Sequence, residues 1–147
     1  MTIRQVYISG ALMGARDLAK AKELYVFVAR VCSKSGYQPY LPHLNTDPIQ
    51  NTSISDEQVF FKDYSEMMSS AVVVSYIGEP SLGVGAELSI CIAHNIPVIA
   101  FNERHQKVSR FVKGMLQTSG SAQQIEYDDY KNLEDQLRAS LLQLADT

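Results

Sequence analysis

This 147-residue chain has no tryptophan, two cysteines and five prolines, and it lacks internal repeats, low-complexity tracts and any linker between composition blocks. Cys32 and Cys91 sit inside apolar helical patterns without metal-ligand spacing. That excludes a disulfide scaffold and a thiolate metal site, and predicts two reduced core thiols in a cytoplasmic protein. No apolar run approaches the ~20 residues needed to cross a bilayer, and no basic segment followed by an apolar one precedes the first strand pattern. Nor is there an excess of positive charge: 13 Lys and Arg stand against 16 Asp and Glu, a formal net charge of −3. A general nucleic-acid or anionic-membrane surface is therefore not expected. The three histidines, His43, His94 and His105, are scattered, and neither a metal nor a cofactor is implied. What remains, 46% hydrophobic and 20% charged residues, is the composition of a globular protein, with one domain expected over residues 1–147.

Apolar periodicity alternates between two and 3.6 along the chain. Ile3 to Ser9 reads as a first strand closed by Gly10, and 17–35 as an amphipathic helix carrying Leu18, Ala21, Leu24, Tyr25, Val28 and Val31 inward, stopped by Gly36. Tyr37 to Leu41 is a weaker strand. Residues 42–54 have no periodicity and many turn formers, so a long functional loop is expected there. Ser55 with Gln58 three residues on predicts a capping box opening a helix that contains Asp63. Residues 71–77 and 97–101 are β-branched runs of the kind buried on both faces of a parallel sheet. Between 102 and 115 Arg104, His105, Lys107, Arg110 and Lys113 gather charge of one sign; then come a fifth strand, Gln123 to Tyr127, and a closing helix over 128–144. Five βα units in succession predict an α/β protein with three layers, doubly wound in the flavodoxin or Rossmann manner, around a five-stranded mostly parallel sheet.

In such folds ligands bind beyond the carboxyl ends of the strands. The stretch at that edge with most to say is Gly78-Glu79-Pro80-Ser81-Leu82-Gly83-Val84-Gly85-Ala86-Glu87-Leu88, a strand-to-helix turn with a carboxylate in or near the helix's first turn. It lacks the Lys-Ser/Thr ending of a P-loop and the third glycine of a dinucleotide fingerprint, so its glycines alone do not make a nucleotide site. A carboxylate near a helix N-terminus is expected to be held ionised, which suits a nucleophile. Tyr7, near the end of the first strand, and Asp63, on the helix before the third, come to the same edge. Two carboxylates and a phenol around one crevice match the groups used in retaining glycoside chemistry. The plainer alternative is that Glu87 caps its helix, Asp63 makes a surface ion pair and Tyr7 fills the core.

Three segments, Tyr7-Ile8-Ser9-Gly10, Lys62-Asp63 before the Ala71-Val72-Val73-Val74 strand, and Pro80-Ser81-Leu82-Gly83-Val84-Gly85-Ala86-Glu87-Leu88, resemble the nucleoside 2-deoxyribosyltransferase superfamily. Within it they are most similar to the 2'-deoxynucleoside 5'-phosphate N-hydrolases. The resemblance covers nearly the whole chain and is weakest over 42–54. It implies an N-glycosidase that cleaves the base–sugar bond of a nucleoside 5'-monophosphate through a covalent glycosyl-enzyme. Glu87 would be the nucleophile, Asp63 would protonate or orient the departing base, and Tyr7 would position Glu87. Ser81 would hold the 5'-phosphate with the N–H groups of Gly83 and Gly85 assisting, and Gly10 would help bind substrate. Ser109-Arg110-Phe111-Val112-Lys113-Gly114 resembles the segment these hydrolases lend to a neighbouring subunit, which implies a homodimer with Ser109 on the phosphate across the interface.

One departure stands out. Where the family's phosphate hydrolases continue the first glycine turn with a serine and then an arginine, this chain has Ala11 and Met13. Arg16 would substitute only if the turn is reshaped, so the need for a 5'-phosphate is left open. His43, at the end of the second strand, is a further candidate for base or sugar contact. Two other readings remain: a deoxyribosyltransferase acting on unphosphorylated nucleosides, which passes the sugar to a second base, and a nucleotide-binding module without turnover.

Overall fold

The computed structural model describes residues 2–12, 14–45 and 52–147. Its elements follow in the order β1 (Arg4–Ser9), α1 (Leu18–Lys34), β2 (Tyr37–Tyr40), α2 (Pro42–Asn45), α3 (Asp56–Met68), β3 (Val72–Tyr76), α4 (Leu82–Ala93), β4 (Val98–Glu103), α5 (Arg110–Thr118), β5 (Ala122–Tyr127) and α6 (Tyr130–Ala145). The strands form one sheet in the order β2-β1-β3-β4-β5, and every pairing is parallel. This is the flavodoxin-type winding expected from the βα repeat, with the change of direction between β1 and β3.

The two faces of the sheet are sorted by strand alternation. Val6, Ile8, Val72, Val74, Ile99, Phe101 and Ile125 point to one side and pack on α1 and α6 through Leu24, Val28, Leu133, Leu137 and Leu141. Tyr7, Val73, Val98 and Ala100 point to the other and meet Met67 of α3, Leu88 and Cys91 of α4, and Leu116 of α5. The thiols of Cys32 and Cys91 are buried and free, each pushed up to about 12 by that burial.

Most boundaries come from local chemistry that is visible in the residues. Asp17 caps α1 by accepting from the Lys20 N–H. Gly36, with φ of 91°, turns the chain into β2. The capping box on α3 is complete, Ser55 accepting from the Gln58 N–H while the Gln58 side chain accepts from the Ser55 N–H. Two boundaries differ from expectation. Residues 42–45 of the expected loop form the short helix α2, started by Pro42, whose fixed φ suits a first helical position. Helix α4 begins at Leu82, so both glycines lie inside it rather than before it. Of the 42–54 loop, 46–51 lie outside the described residues, as does Met13.

Candidate active site

Tyr7 reaches the carboxyl edge of the sheet from the position two residues before the end of β1, where it is almost fully buried. Its Cα neighbour on β2 is Tyr40, and the rings stack with centroids 5.6 Å apart and planes inclined by 23°. Glu87 comes down from α4 towards the Tyr7 hydroxyl, which hydrogen-bonds to it. Asp63 enters from α3; its Oδ1 lies 3.5 Å from the Tyr40 hydroxyl, a long hydrogen bond. The three side chains singled out for chemistry therefore line one cleft, of about 800 Å³.

Burial dominates the electrostatics of this cleft. Glu87 has its Oε2 enclosed and without a hydrogen-bond partner. Its carboxyl is pushed up to about 7, because desolvation and the nearby Asp63 outweigh the hydrogen bond from Tyr7. This corrects the expectation of a carboxylate held low by the helix N-terminus. With the helix starting at Leu82, Glu87 falls in the second turn, where the dipole has faded and desolvation in the cleft outweighs it. Both phenols are pushed well above the usual tyrosine range, first by burial and then by the carboxylates beside them. They stay protonated and can only donate to those carboxylates.

The floor of the cleft is held by two loops. Tyr25 of α1 lies over Gly10 and donates to the Ala11 carbonyl at 2.8 Å, and a Cβ on Gly10 would collide with its ring. The loop after β1 is tied to the loop after β3 by the Arg16 N–H donating to the Glu79 carboxylate at 3.2 Å. At the start of α4 the Ser81 hydroxyl caps the helix, accepting from the Val84 N–H at 3.3 Å. Gly10, Ser81 and Gly83 all line the cleft.

Four other candidates are placed elsewhere. The Gly85 N–H is taken by the Ser81 carbonyl at 3.1 Å as the first rung of the helix, and Gly85 faces a neighbouring cleft of about 420 Å³. It has no donor to offer the substrate, which corrects that assignment. His43 does not line the main cleft: the turn of α2 carries its ring inward against Tyr25, with centroids 6.3 Å apart. Only Pro42 of that helix reaches the cleft. The exposed Arg16 also lies outside it. Ser109 caps α5 by accepting from the Val112 N–H at 3.4 Å and lines the second cleft with Lys107, across the first turn of α4 from Glu87. Within one chain it does not join Tyr7, Asp63 and Glu87.

Tyr40 is the residue that the sequence reading missed. The signal was available in principle, since a parallel β1–β2 pairing with the strands starting at Arg4 and Tyr37 places the two tyrosines opposite one another.

Comparison with known proteins agrees with this fold. No family model matches the chain. A protein of Thermofilum pendens named "putative 2'-deoxynucleoside 5'-phosphate N-hydrolase 1" is 29% identical over 115 residues, which cover 76% of this chain and 78% of that one. Among solved structures, the CMP N-glycosidase of Clostridium botulinum superposes with a TM-score of 0.67 at 17% identity, covering 93% of this chain and 99% of that one. The 2-deoxyribosyltransferase of Bacillus psychrosaccharolyticus does so with 0.66 at 18%, covering 93% and 95%. The chain thus has the three-layer α/β fold of the nucleoside 2-deoxyribosyltransferase superfamily. In sequence it is similar to proteins named as 2'-deoxynucleoside 5'-phosphate N-hydrolases.

Proposed function

We propose that this protein is an N-glycosidase that releases the base from a nucleoside or nucleotide through a covalent intermediate on Glu87. The observation that carries the reading is the buried Glu87 carboxylate with an unpartnered Oε2, set beside Tyr7 and across the cleft from Asp63. A carboxylate oxygen that is buried and unsatisfied is unfavourable in a resting protein and calls for a reason. A sugar carbon arriving with developing positive charge supplies one.

In the first step a Glu87 oxygen bonds to C1' as the C1'–N bond breaks, and the base leaves with a proton delivered from the Asp63 side. The Tyr7 hydroxyl holds the attacking carboxylate in place. In the second step water attacks C1', Asp63 takes its proton, and the sugar–Glu87 ester opens to return both carboxyl groups to their starting states. Ser81, Gly10 and the N–H of Gly83 hold the sugar. The resemblance to N-hydrolases further supports a homodimer in which the partner subunit's Ser109 completes the site.

A second reading keeps the first step and passes the sugar to another base. It is favoured by the room in an 800 Å³ cleft and by the fold shared with a 2-deoxyribosyltransferase. Incubation with a panel of ribo- and deoxyribonucleosides, with and without added free base, separates the two by product. Denaturing the enzyme during turnover and weighing it intact tests the intermediate: a mass increase equal to one sugar unit is expected for the wild type and not for Glu87→Ala. Base release that survives Glu87→Ala would overturn the mechanism. A fully active monomer in solution scattering would remove the role of the partner's Ser109.

A further inference from the structure

Among the described residues, every charged side chain that lines the cleft is acidic. Asp56, Asp63 and Glu87 are there, and among the described lining residues there is no Lys, Arg or His. Met13 and 46–51 cannot supply one, since none of them is a Lys, Arg or His. Arg16, the cation nearest in sequence to the first turn, lies outside the cleft, and Lys107 faces the second one.

The cleft also has two distinct sides. On one wall stand Asp63 and, one turn earlier on α3, the apolar Val59, with Ile54 before them. On the other the loop after β1 meets the loop after β3, a Cβ at Gly14 coming within 3.2 Å of the Pro80 carbonyl, and Leu12 and Leu82 present apolar surface. If the base departs towards Asp63, the C5' end of the sugar lies against the second wall. There it meets Leu12, Pro80, Leu82, the Ser81 hydroxyl and the Gly83 N–H. A phosphate monoester carries nearly two negative charges at neutral pH. Placed here it would have the Ser81 hydroxyl and the Gly83 N–H to bind it, and no cation among the described residues of the same chain's cleft to offset its charge.

We infer that the substrate presents an uncharged C5' end, a 5'-hydroxyl or a 5'-deoxy carbon, rather than a 5'-phosphate. This rests on the reading of Glu87 as nucleophile and Asp63 as the group behind the leaving base. It sets this chain apart from the 5'-phosphate chemistry printed in the name of its relative.

The test compares free-base release from nucleosides, their 5'-monophosphates and their 5'-deoxy analogues, alongside calorimetric binding of each to Glu87→Gln. The expected result is a kcat/KM at least tenfold higher for nucleosides than for monophosphates, 5'-deoxy analogues turned over like nucleosides, and no inhibition by millimolar inorganic phosphate. Leu12→Arg is expected to narrow the gap by raising the monophosphate rate. Preferential turnover of monophosphates by the wild type overturns the inference and leaves the role of Glu87 standing. If Arg110→Ala then abolishes that preference, the missing cation comes from the partner subunit. If no substrate releases base, the mechanism falls, yet tighter binding of nucleoside than monophosphate to Glu87→Gln still upholds an uncharged C5' end. Binding of neither overturns both.

Discussion

Tyr7 and Tyr40 are neighbours on parallel strands, stacked ring on ring, and each directs its hydroxyl at a different carboxylate, Tyr7 at Glu87 and Tyr40 at Asp63. The sheet itself fixes the spacing between the two hydroxyls, one beside Glu87 and the other beside Asp63. Because both phenols are held protonated, neither accepts a proton from its carboxylate at working pH. They orient the two carboxyl groups.

The nucleophile must be ionised to attack, and burial has raised the Glu87 carboxyl to about 7. The ionisation of Glu87 should therefore contribute a rising single-proton limb, centred near neutrality, to the pH dependence of activity. The Tyr7 hydrogen bond lowers that pKa, so Tyr7→Phe removes a stabiliser of the charged form and moves the limb to higher pH. A pH–rate profile of both proteins checks this. A limb that stays in place after Tyr7→Phe would show that the phenol does not govern Glu87.

Asp63 and Tyr40 should separate by magnitude. A positioned general acid contributes about 10²–10⁴-fold, so Asp63→Asn is expected to lower kcat by that amount for ordinary bases. Tyr40→Phe removes only a long hydrogen bond and should cost a few-fold. A substrate whose base departs without protonation should recover most of the Asp63→Asn loss and none of the loss from Glu87→Ala. Equal loss on both kinds of substrate would assign Asp63 to binding rather than to proton transfer.

The layered fold was legible because each of its determinants is local. Strand alternation sorts Val6 and Ile8 from Tyr7, the Ser55–Gln58 pair announces α3, and Gly36 can be read as a turn into β2. The cleft-bearing edge of the sheet followed from topology, and with it the meeting of Tyr7, Asp63 and Glu87 there. What was not legible depends on depth and direction. The two glycines of α4 read as a turn, which moved the expected helix start past them. That shifted Glu87 towards the dipole, left Gly85 an N–H that the helix in fact uses, and reversed the expected direction of the Glu87 pKa. His43 lies next to the cleft-lining Pro42, yet the rotation of a single helical turn takes it to Tyr25. The partner of Tyr7 required the β1–β2 register, which no single strand reveals.

Gly10 is expected to be irreplaceable for a reason internal to the fold. The Tyr25 ring occupies the space a Cβ would need, and its hydroxyl fixes the neighbouring Ala11 carbonyl. Gly10→Ala should destabilise the protein by about 2 kcal/mol, in the range for overpacking a filled site. In a Tyr25→Leu background, where the ring is gone, the same change should cost clearly less. Thermal denaturation of the two single variants and the double variant gives the coupling directly; purely additive effects would mean that the contact is relieved elsewhere.

Ser75 and Ser9 face one another across β3 and β1, both almost wholly buried and both without a hydrogen-bond partner for the hydroxyl. A buried unsatisfied hydroxyl is unfavourable by roughly 1–3 kcal/mol. Ser75→Ala should therefore raise stability by ~1 kcal/mol in denaturant titration. A drop in stability would reveal an ordered water bridging the serines and the nearby cleft.

Glu87 itself should trade stability for chemistry. Its folded pKa of about 7 lies above the value near 4.5 of the unfolded chain, so between those two pH values the folded state binds the proton more tightly. As pH rises through that window the unfolded state ionises first, and stability falls by on the order of 3 kcal/mol before levelling off above the folded pKa. Glu87→Gln abolishes the titration. The variant should be inactive, equal in stability to the wild type near pH 4.5, and more stable by most of that amount at pH 8. Thermal or denaturant unfolding across pH 4.5 to 8 measures the difference between the two proteins, in which the other titrating groups cancel. A gap that is flat with pH would mean that Glu87 ionises as an ordinary surface acid, and would remove the physical basis for treating it as a nucleophile kept in a strained, desolvated state.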